Sequence, residues 1–153
     1  MRWSDPIGSR ATVAPSRMLL QWHLTERCNL RCAHCYQERC TVADPSWDEW
    51  MATLDRLEAF LDLCRTRRAG RTFRAHITVT GGEPFVRTDF LRLVERLAAA
   101  RTGYTFAVLT NGTLVDRALA RALAALRPGF VQVSLDGTTE THDRIRGRGS
   151  HAC

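Results

Sequence analysis

The sequence contains no lysine, because all 22 basic residues among its 153 are arginine. A chain without lysine has neither a Schiff-base nucleophile nor a lysine general base. It also lacks any apolar run close to the roughly 20 residues that a membrane helix needs. Asp5, Pro6, Arg10 and Pro15 interrupt the N-terminal stretch where a signal peptide would be apolar. We therefore expect a cytoplasmic protein without a membrane partner.

Basic clusters interleaved with aromatic residues are also missing, although the net charge is +6. The arginines are scattered along predicted helices at solvent-facing spacing, so we expect no nucleic-acid partner. With 44% hydrophobic and 25% charged residues, the composition is typical of one soluble globular domain.

Apolar patterns of strand and helix type alternate along the chain after an irregular arm at residues 1–17. Strands are predicted at 18–25, 76–80, 105–110 and 130–135, and helices at 46–67, 89–100 and 116–126. Ser46 and Glu49 form a capping-box pattern at the first helix. That helix has an apolar core face of Trp47, Trp50, Met51, Leu54, Leu57, Leu61 and Cys64. The order βαβαβαβ predicts an α/β fold with parallel strands and right-handed crossovers.

Polar or glycine-rich segments follow each of the four predicted strands. They are the cysteine loop, Gly81-Gly82-Glu83-Pro84, Asn111-Gly112 and Asp136-Gly137. In parallel α/β folds the loops after the strands lie on one face, where active sites form. We therefore expect these four segments to converge on a single site.

Three of the six cysteines lie within eight residues, at Cys28, Cys32 and Cys35. Clustered thiolates favour zinc or iron–sulfur centres. A structural zinc site usually takes four ligands, and Cys40, His34 or His23 could supply the fourth. Three thiolates on a four-iron cluster would instead leave one iron open for chemistry. Spacing alone leaves both possibilities open. Cys40 and Cys64 are otherwise interpreted as free thiols, with Cys64 on the buried helix face.

The segment Cys28-Asn-Leu-Arg-Cys32-Ala-His-Cys35-Tyr36, followed by Gly81-Gly82-Glu83-Pro84, closely resembles the radical S-adenosylmethionine (SAM) superfamily. The later segments 109–113, 133–137 and 142–147 resemble its SPASM-type subgroup, which matures peptides and sulfatases. The resemblance covers about residues 18 to 150. It implies that Cys28, Cys32 and Cys35 hold a 4Fe-4S cluster whose open iron chelates SAM.

The resemblance also implies contacts to SAM, residue by residue. His34 would border the adenine, and Ser134 and Asp136 would lie near the ribose hydroxyls. The methionine amino group would be received by the motif Gly81, Gly82 and Glu83. Asn111 and Arg146 are candidates for the remaining polar contacts, with Arg146 on the SAM carboxylate.

The fold implied by the resemblance is a partial parallel (β/α) barrel of about four βα units. Residues 18–153 would form the N-terminal part of the barrel domain, in a truncated chain that a partner chain could complete. The implied reaction is reductive cleavage of SAM to a 5′-deoxyadenosyl radical that modifies a peptide or protein, with flavodoxin or ferredoxin as electron donor. The alternatives are a non-catalytic cluster- and SAM-binding fragment or split-enzyme subunit, and a small zinc-binding interaction module.

Overall fold

A computed structural model describes residues 16–37, 43–68, 72–100 and 103–152. Most of the predicted N-terminal arm lies outside the described residues, as do Cys40 and Cys153, so the boundary at residue 18 stays a prediction. No helix in the described part of the chain combines the length and apolar character needed to span a bilayer.

Four strands alternate with helices in the predicted order. The strands are β1 Arg17–His23, β2 Arg74–Thr80, β3 Tyr104–Thr110 and β4 Val131–Val133. The helices are α1 Trp47–Thr66, α2 Phe90–Ala99, α3 Arg117–Ala125 and α4 Thr139–Arg146. A short 3₁₀ turn at Pro84–Val86 precedes α2.

All strand pairs are parallel, in the spatial order β1-β2-β3-β4. The α/β prediction is confirmed, and the sheet forms the open, partial barrel of the predicted class. Within the described residues the outer edge of β4 has no neighbouring strand. Since each crossover returns the chain to the same end of the sheet, the loops after β1, β2, β3 and β4 lie together at the carboxyl ends of the strands.

The hydrophobic core lies between one face of the sheet and the helices. Alternate strand residues such as Ile77, Val79, Phe106 and Val108 belong to it, as does Leu54 on α1. The predicted apolar face of α1 is confirmed, with Trp50, Leu54, Leu61 and Cys64 buried. The opposite face of the sheet carries exposed residues such as Leu19. Strand β1 and most of β2 therefore show the period-2 alternation of a sheet covered on one side.

The capping box predicted for α1 is present. The Ser46 hydroxyl accepts from the backbone N–H of Glu49 at 3.3 Å, and the Ser46 N–H donates to the Glu49 carboxylate at 2.8 Å. The Ser46 N–H, together with the Ser46 hydroxyl that donates to the same carboxylate at 2.9 Å, lowers the pKa of Glu49. Two otherwise unpaired backbone groups are thereby satisfied, which explains why the helix begins immediately after Ser46.

Asp89 is the residue immediately before α2, and its carboxylate binds the Arg87 guanidinium rather than a backbone N–H of the helix. Two details of the sequence prediction were wrong. Strand β4 spans three residues rather than six, since only Val131–Val133 pair with β3. Helix α4 was not predicted, because His142 is its one buried residue and the helix has no apolar stripe to detect.

Candidate functional site

A cavity of about 330 Å³ lies at the carboxyl ends of the strands. Its wall includes every predicted site residue except Glu83 and Asp136, namely Cys28, Cys32, His34, Cys35, Gly81, Gly82, Asn111, Ser134 and Arg146. These residues come from the loops after all four strands and from α4. The predicted convergence of the loops is therefore present in the structure.

The three clustered thiols lie on the loop after β1, and all three are free. The Ala33 N–H donates to the Ile145 carbonyl oxygen at 2.7 Å, which fastens this loop to α4. The Leu30 N–H donates to the Cys28 Sγ at 3.4 Å. Burial raises the pKa of Cys32, an effect that the Arg146 charge opposes and the neighbouring Cys28 and Cys35 thiolates reinforce.

The thiols surround a cavity rather than a single point. Among the described residues, no three His, Cys, Asp or Glu side chains converge closely enough to hold one metal ion. Cys28, Cys32 and Cys35 also line a second, neighbouring cavity of about 250 Å³. Their sulfurs are therefore accessible from more than one side of the loop.

Gly81 and Gly82 press directly against the start of the cysteine loop. A Cβ on Gly82 would lie 2.2 Å from the Arg27 carbonyl oxygen, and one on Gly81 would lie 2.4 Å from that of Thr25. Gly81 also has φ +150°, a conformation that L side chains rarely adopt. The Gly82 N–H donates to the Thr25 carbonyl oxygen at 2.8 Å. Only glycine allows this approach, which leaves bare backbone along the cavity wall.

Glu83 occupies a different position from the one that the sequence suggests. Its side chain is fully buried and does not line the cavity. The carboxylate accepts from the Thr110 hydroxyl at 2.8 Å, from the Asn111 N–H at 2.7 Å and from the Phe85 N–H at 3.2 Å. Burial raises the pKa of Glu83, while these three donors pull it down. The carboxylate therefore links the end of β2 to the end of β3.

Asp136 does not line the cavity either, and its side chain is 29% exposed. Its carboxylate accepts from the Arg146 Nε at 2.6 Å, and this bond lowers the pKa of Asp136. The His34 Nε2 lies 4.0 Å from the same carboxylate. The Asp136 N–H donates to the Nδ1 of the buried His142 at 3.2 Å. Asp136 thus holds Arg146, which lines the cavity in its place.

Two residues outside the predicted site, Asn29 and Thr113, contact the Asn111 side chain. The Asn111 Nδ2 donates to the Asn29 Oδ1 at 3.0 Å and approaches the Cys28 Sγ at 3.8 Å. The Asn111 Oδ1 accepts from the Thr113 hydroxyl at 2.7 Å. Asn29 follows the first cysteine directly, and that adjacency is the one sequence signal that could have identified it.

A second missed group supports the base of the cysteine loop. The Asp44 carboxylate accepts from the Thr25 hydroxyl at 2.6 Å and from the Arg27 Nε at 2.7 Å. Arg87, which is buried, lies 3.5 Å from the same carboxylate and pairs with Asp89 at 2.7 Å. No periodicity or spacing connects these residues, so sequence patterns could not reveal the network.

Comparison with known families decides the relationship. The family described as "Radical SAM superfamily" matches residues 22–152. The chain belongs to the radical SAM superfamily. Members of this family use a 4Fe-4S cluster and SAM, so the predicted cofactors and enzyme class agree with the membership.

Relatives within the superfamily include the Fe-coproporphyrin III synthase of Methanosarcina barkeri, 37% identical over 145 residues that cover 86% of this chain and 33% of that protein. The mycofactocin maturase MftC of Mycobacterium tuberculosis is 34% identical over 137 residues, covering 86% of this chain and 31% of that protein. The chain therefore spans about a third of the length of these curated relatives.

Solved structures show the same fold. Native anSMEcpe with bound AdoMet superposes with a TM-score of 0.65 at 23% identity, covering 89% of this chain and 38% of that chain. BtrN in complex with AdoMet and 2-DOIA gives a TM-score of 0.60 at 15% identity, covering 80% and 46%. At this level of identity the likeness establishes the partial barrel fold and nothing finer.

The residues of the cavity fit the cofactors of the family. Three thiols on one loop are soft donors suited to iron–sulfur clusters. The cavity beside them is within the range of about 300–1,000 Å³ typical of small-molecule sites. Backbone groups at Gly81 and Gly82 and the cationic Arg146 line the same space. The site thus combines three thiols suited to a cluster with groups complementary to an amino acid moiety.

Proposed function

We propose that this chain binds a 4Fe-4S cluster through Cys28, Cys32 and Cys35 and binds SAM in the adjoining cavity. The observation that carries the proposal is the presence of three free thiols and the Gly81-Gly82 backbone on the wall of one cavity. When bound, the cluster and SAM supply reductive cleavage of the cofactor to a 5′-deoxyadenosyl radical, which abstracts hydrogen from a substrate.

The polar groups of the cavity divide the recognition of SAM among them. The Gly81 and Gly82 backbone receives the methionine end, because no side chain stands in its way. The Arg146 Nε is taken by Asp136, and its remaining guanidinium N–H groups pair with the SAM carboxylate. Ser134 lies near the ribose hydroxyls, and the half-exposed His34 borders the adenine.

Glu83 and Asp136 act one step away from the cofactor in this proposal. Buried Glu83 keeps the ends of β2 and β3 together, so the backbone cradle stays in place. Asp136 holds the Arg146 side chain at the cavity wall. Groups held in this way present their donors without reorganisation when the ligand arrives.

The proposed substrate is a peptide or protein, which the motifs of the maturase subgroup and the similarity to mycofactocin maturase support. The relative named Fe-coproporphyrin III synthase makes a tetrapyrrole the second candidate. A flavodoxin or ferredoxin would supply the electron, and a partner chain could complete the open barrel. Free cysteines of this kind suit the reducing cytoplasm, where we place the protein.

Anaerobic reconstitution with iron and sulfide tests the proposal. We expect about four irons per chain, a brown colour, and 5′-deoxyadenosine that appears only with a reductant. Cys32→Ala should lose both iron and nucleoside release, whereas Cys64→Ala, which removes a buried thiol remote from the loop, should keep them. Adding a peptide or a tetrapyrrole separates the two substrate classes.

Other outcomes would contradict the proposal in different ways. Cluster without SAM cleavage would indicate a cofactor-binding fragment or split-enzyme subunit. Stoichiometric zinc without iron would indicate a zinc-binding interaction module. Full iron content in Cys32→Ala would show that the thiol triplet is not the ligand set.

A further inference from the structure

Three side chains beside the first cysteine form a closed ring of hydrogen bonds. The Asn111 Nδ2 donates to the Asn29 Oδ1 at 3.0 Å, and the Asn29 Nδ2 donates to the Thr113 Oγ1 at 2.8 Å. The Thr113 hydroxyl donates in turn to the Asn111 Oδ1 at 2.7 Å. Each donor meets an acceptor around the ring, which joins the cysteine loop to the loop after β3.

The ring leaves one N–H of Asn111 unassigned, and that N–H faces sulfur. The Asn111 Nδ2 lies 3.8 Å from the Cys28 Sγ, within hydrogen-bond range for the large sulfur atom. An amide nitrogen has two N–H donors and its oxygen two lone pairs. Here the donors go to Asn29 and Cys28, and both lone pairs go to Thr113, one to its N–H at 2.9 Å and one to its hydroxyl.

The orientation of the Asn111 amide is decided by its neighbour. A backbone N–H can only donate, so the Asn111 atom that faces the Thr113 N–H must be oxygen. Rotating the Asn111 amide by half a turn would place its NH₂ group against the Thr113 N–H, so that two donors would face each other. It would also place the amide oxygen against the Cys28 sulfur. The amide group facing Cys28 is therefore a donor, whatever occupies the rest of the cavity.

We propose that Asn111 is a positioning residue that donates to the Cys28 thiolate and, with Asn29 and Thr113, sets the reduction potential of the cluster. This inference rests on the proposed function, since it requires Cys28 to be a cluster ligand. It also changes the role that the family resemblance implies for Asn111. The side chain has no free donor or lone pair for SAM, because Asn29, Thr113 and Cys28 use all four.

A donor on a ligand thiolate stabilises the reduced cluster more than the oxidised one. The reduced state carries one more negative charge, part of which resides on the sulfur ligands, and an N–H dipole offsets it. Removing the donor should therefore make the cluster harder to reduce. Because the ring holds the amide in place, removing another member of the ring should act in the same direction but less strongly.

Asn111→Leu tests the inference, because leucine has a similar size and removes the donor without adding a charge. The measurement is the midpoint potential of the reconstituted cluster, titrated with dithionite as electron donor and followed by electron paramagnetic resonance. At the wild-type midpoint we expect the ratio of reduced to oxidised cluster to fall by about tenfold, equivalent to 59 mV for one electron. The SAM dissociation constant, measured by calorimetry, is the second readout, and it should change by a smaller factor than the ratio of reduced to oxidised cluster.

Thr113→Val and Thr113→Ser form a matched pair on the ring. Valine removes the hydroxyl and should lower the midpoint potential by a smaller amount, whereas serine keeps the hydroxyl and should retain the wild-type value. This pair tests the inference even if Asn111→Leu fails to fold. Circular dichroism reports whether each variant is folded before its cluster is titrated.

The outcomes separate this inference from the function on which it rests. A wild-type chain that takes up no cluster would overturn both. A wild-type chain with a cluster, together with an Asn111→Leu variant of unchanged midpoint potential and weakened SAM affinity, would overturn the inference alone and assign Asn111 to SAM. A Thr113→Val midpoint equal to that of Thr113→Ser would also overturn the role of the ring.

Discussion

Two acidic residues of the site motifs bind other protein groups instead of lining the cavity. Glu83 and Asp136 are both acids within site motifs, yet neither lines the cavity. Glu83 is buried against Thr110 and the Asn111 backbone, and Asp136 holds Arg146. A carboxylate beside paired donors within the protein is satisfied there, so it has less to offer a ligand. The groups that line the cavity and can contact a ligand include the thiols, the glycine backbone and Arg146.

The buried Arg87 provides a prediction about pH. Its guanidinium donates to Asp89 at 2.9 and 2.7 Å, and this bonding lowers the pKa of Asp89. A carboxyl whose folded pKa lies below its unfolded value stabilises the fold above the unfolded pKa, which is about 3.9. That stabilisation is lost as the pH falls through the folded pKa.

Asp89→Asn should therefore lower the free energy of unfolding at pH 7 by about 1–3 kcal/mol, because it leaves a buried guanidinium with a weaker partner. Urea denaturation at pH 7 and over an acid series that extends below the lowered pKa of Asp89 measures the effect, and the difference from wild type should shrink in acid. Asp62→Asn, which breaks the exposed pair with Arg65, is the control and should cost less than about 1 kcal/mol. Equal losses for both variants would contradict the argument.

At the scale of elements, the N-termini of α1 and α4 differ in their side-chain capping. Ser46 accepts from the Glu49 N–H in a complete capping box, whereas Thr138 precedes α4 without a side-chain capping bond. Both are hydroxyl residues at the same position relative to their helices. The pair therefore offers a direct comparison between a cap that is formed and one that is not.

Ser46→Ala should lower the free energy of unfolding by about 1 kcal/mol, the usual effect of losing an N-cap side chain. Thr138→Ala should change it much less, since within the described ranges of the chain that hydroxyl bonds only to the Thr141 hydroxyl, at 3.4 Å. Thermal unfolding followed by circular dichroism at 222 nm measures both in the same buffer. A larger loss for Thr138→Ala would show that the α4 cap forms in solution.

At the scale of the molecule, the sheet leaves apolar residues exposed near its β4 edge. Val133 is 48% exposed and Leu135 63%, and in the described residues no strand pairs with the outer side of β4. An unprotected edge strand offers unpaired backbone groups to another chain. The partial barrel is therefore expected to associate through this edge.

Val133→Lys should weaken self-association, because a charge on an edge strand opposes pairing with another strand. Phe60→Lys is the control, since Phe60 is 46% exposed but lies on α1, away from the edge. Sedimentation velocity over a range of concentrations should show less oligomer for Val133→Lys and no change for Phe60→Lys. Identical oligomer distributions for wild type and Val133→Lys would place the association elsewhere.

Local patterns in the chain predicted much of this molecule. Short apolar and β-branched runs identified the strands, and the helical period with the Ser46 and Glu49 pair identified α1. Helix α4 was not predicted because it has no apolar stripe. Strand β4 is shorter than predicted because its end is set by the point at which pairing with β3 stops. Short-range signals reveal elements that carry their own pattern and miss those defined by their neighbours.

The sequence by itself determined the strand–helix alternation and the thiol triplet, because both are written in residue spacing along a short stretch of chain. Only the tertiary structure decided which polar groups reach the cavity. Two of the three donors to the Glu83 carboxylate lie on β3 and in the loop after it, and Asn111 contacts Asn29, which lies in a loop 82 residues earlier. Each of these groups is satisfied by atoms that only folding brings near, so no local pattern could assign its role.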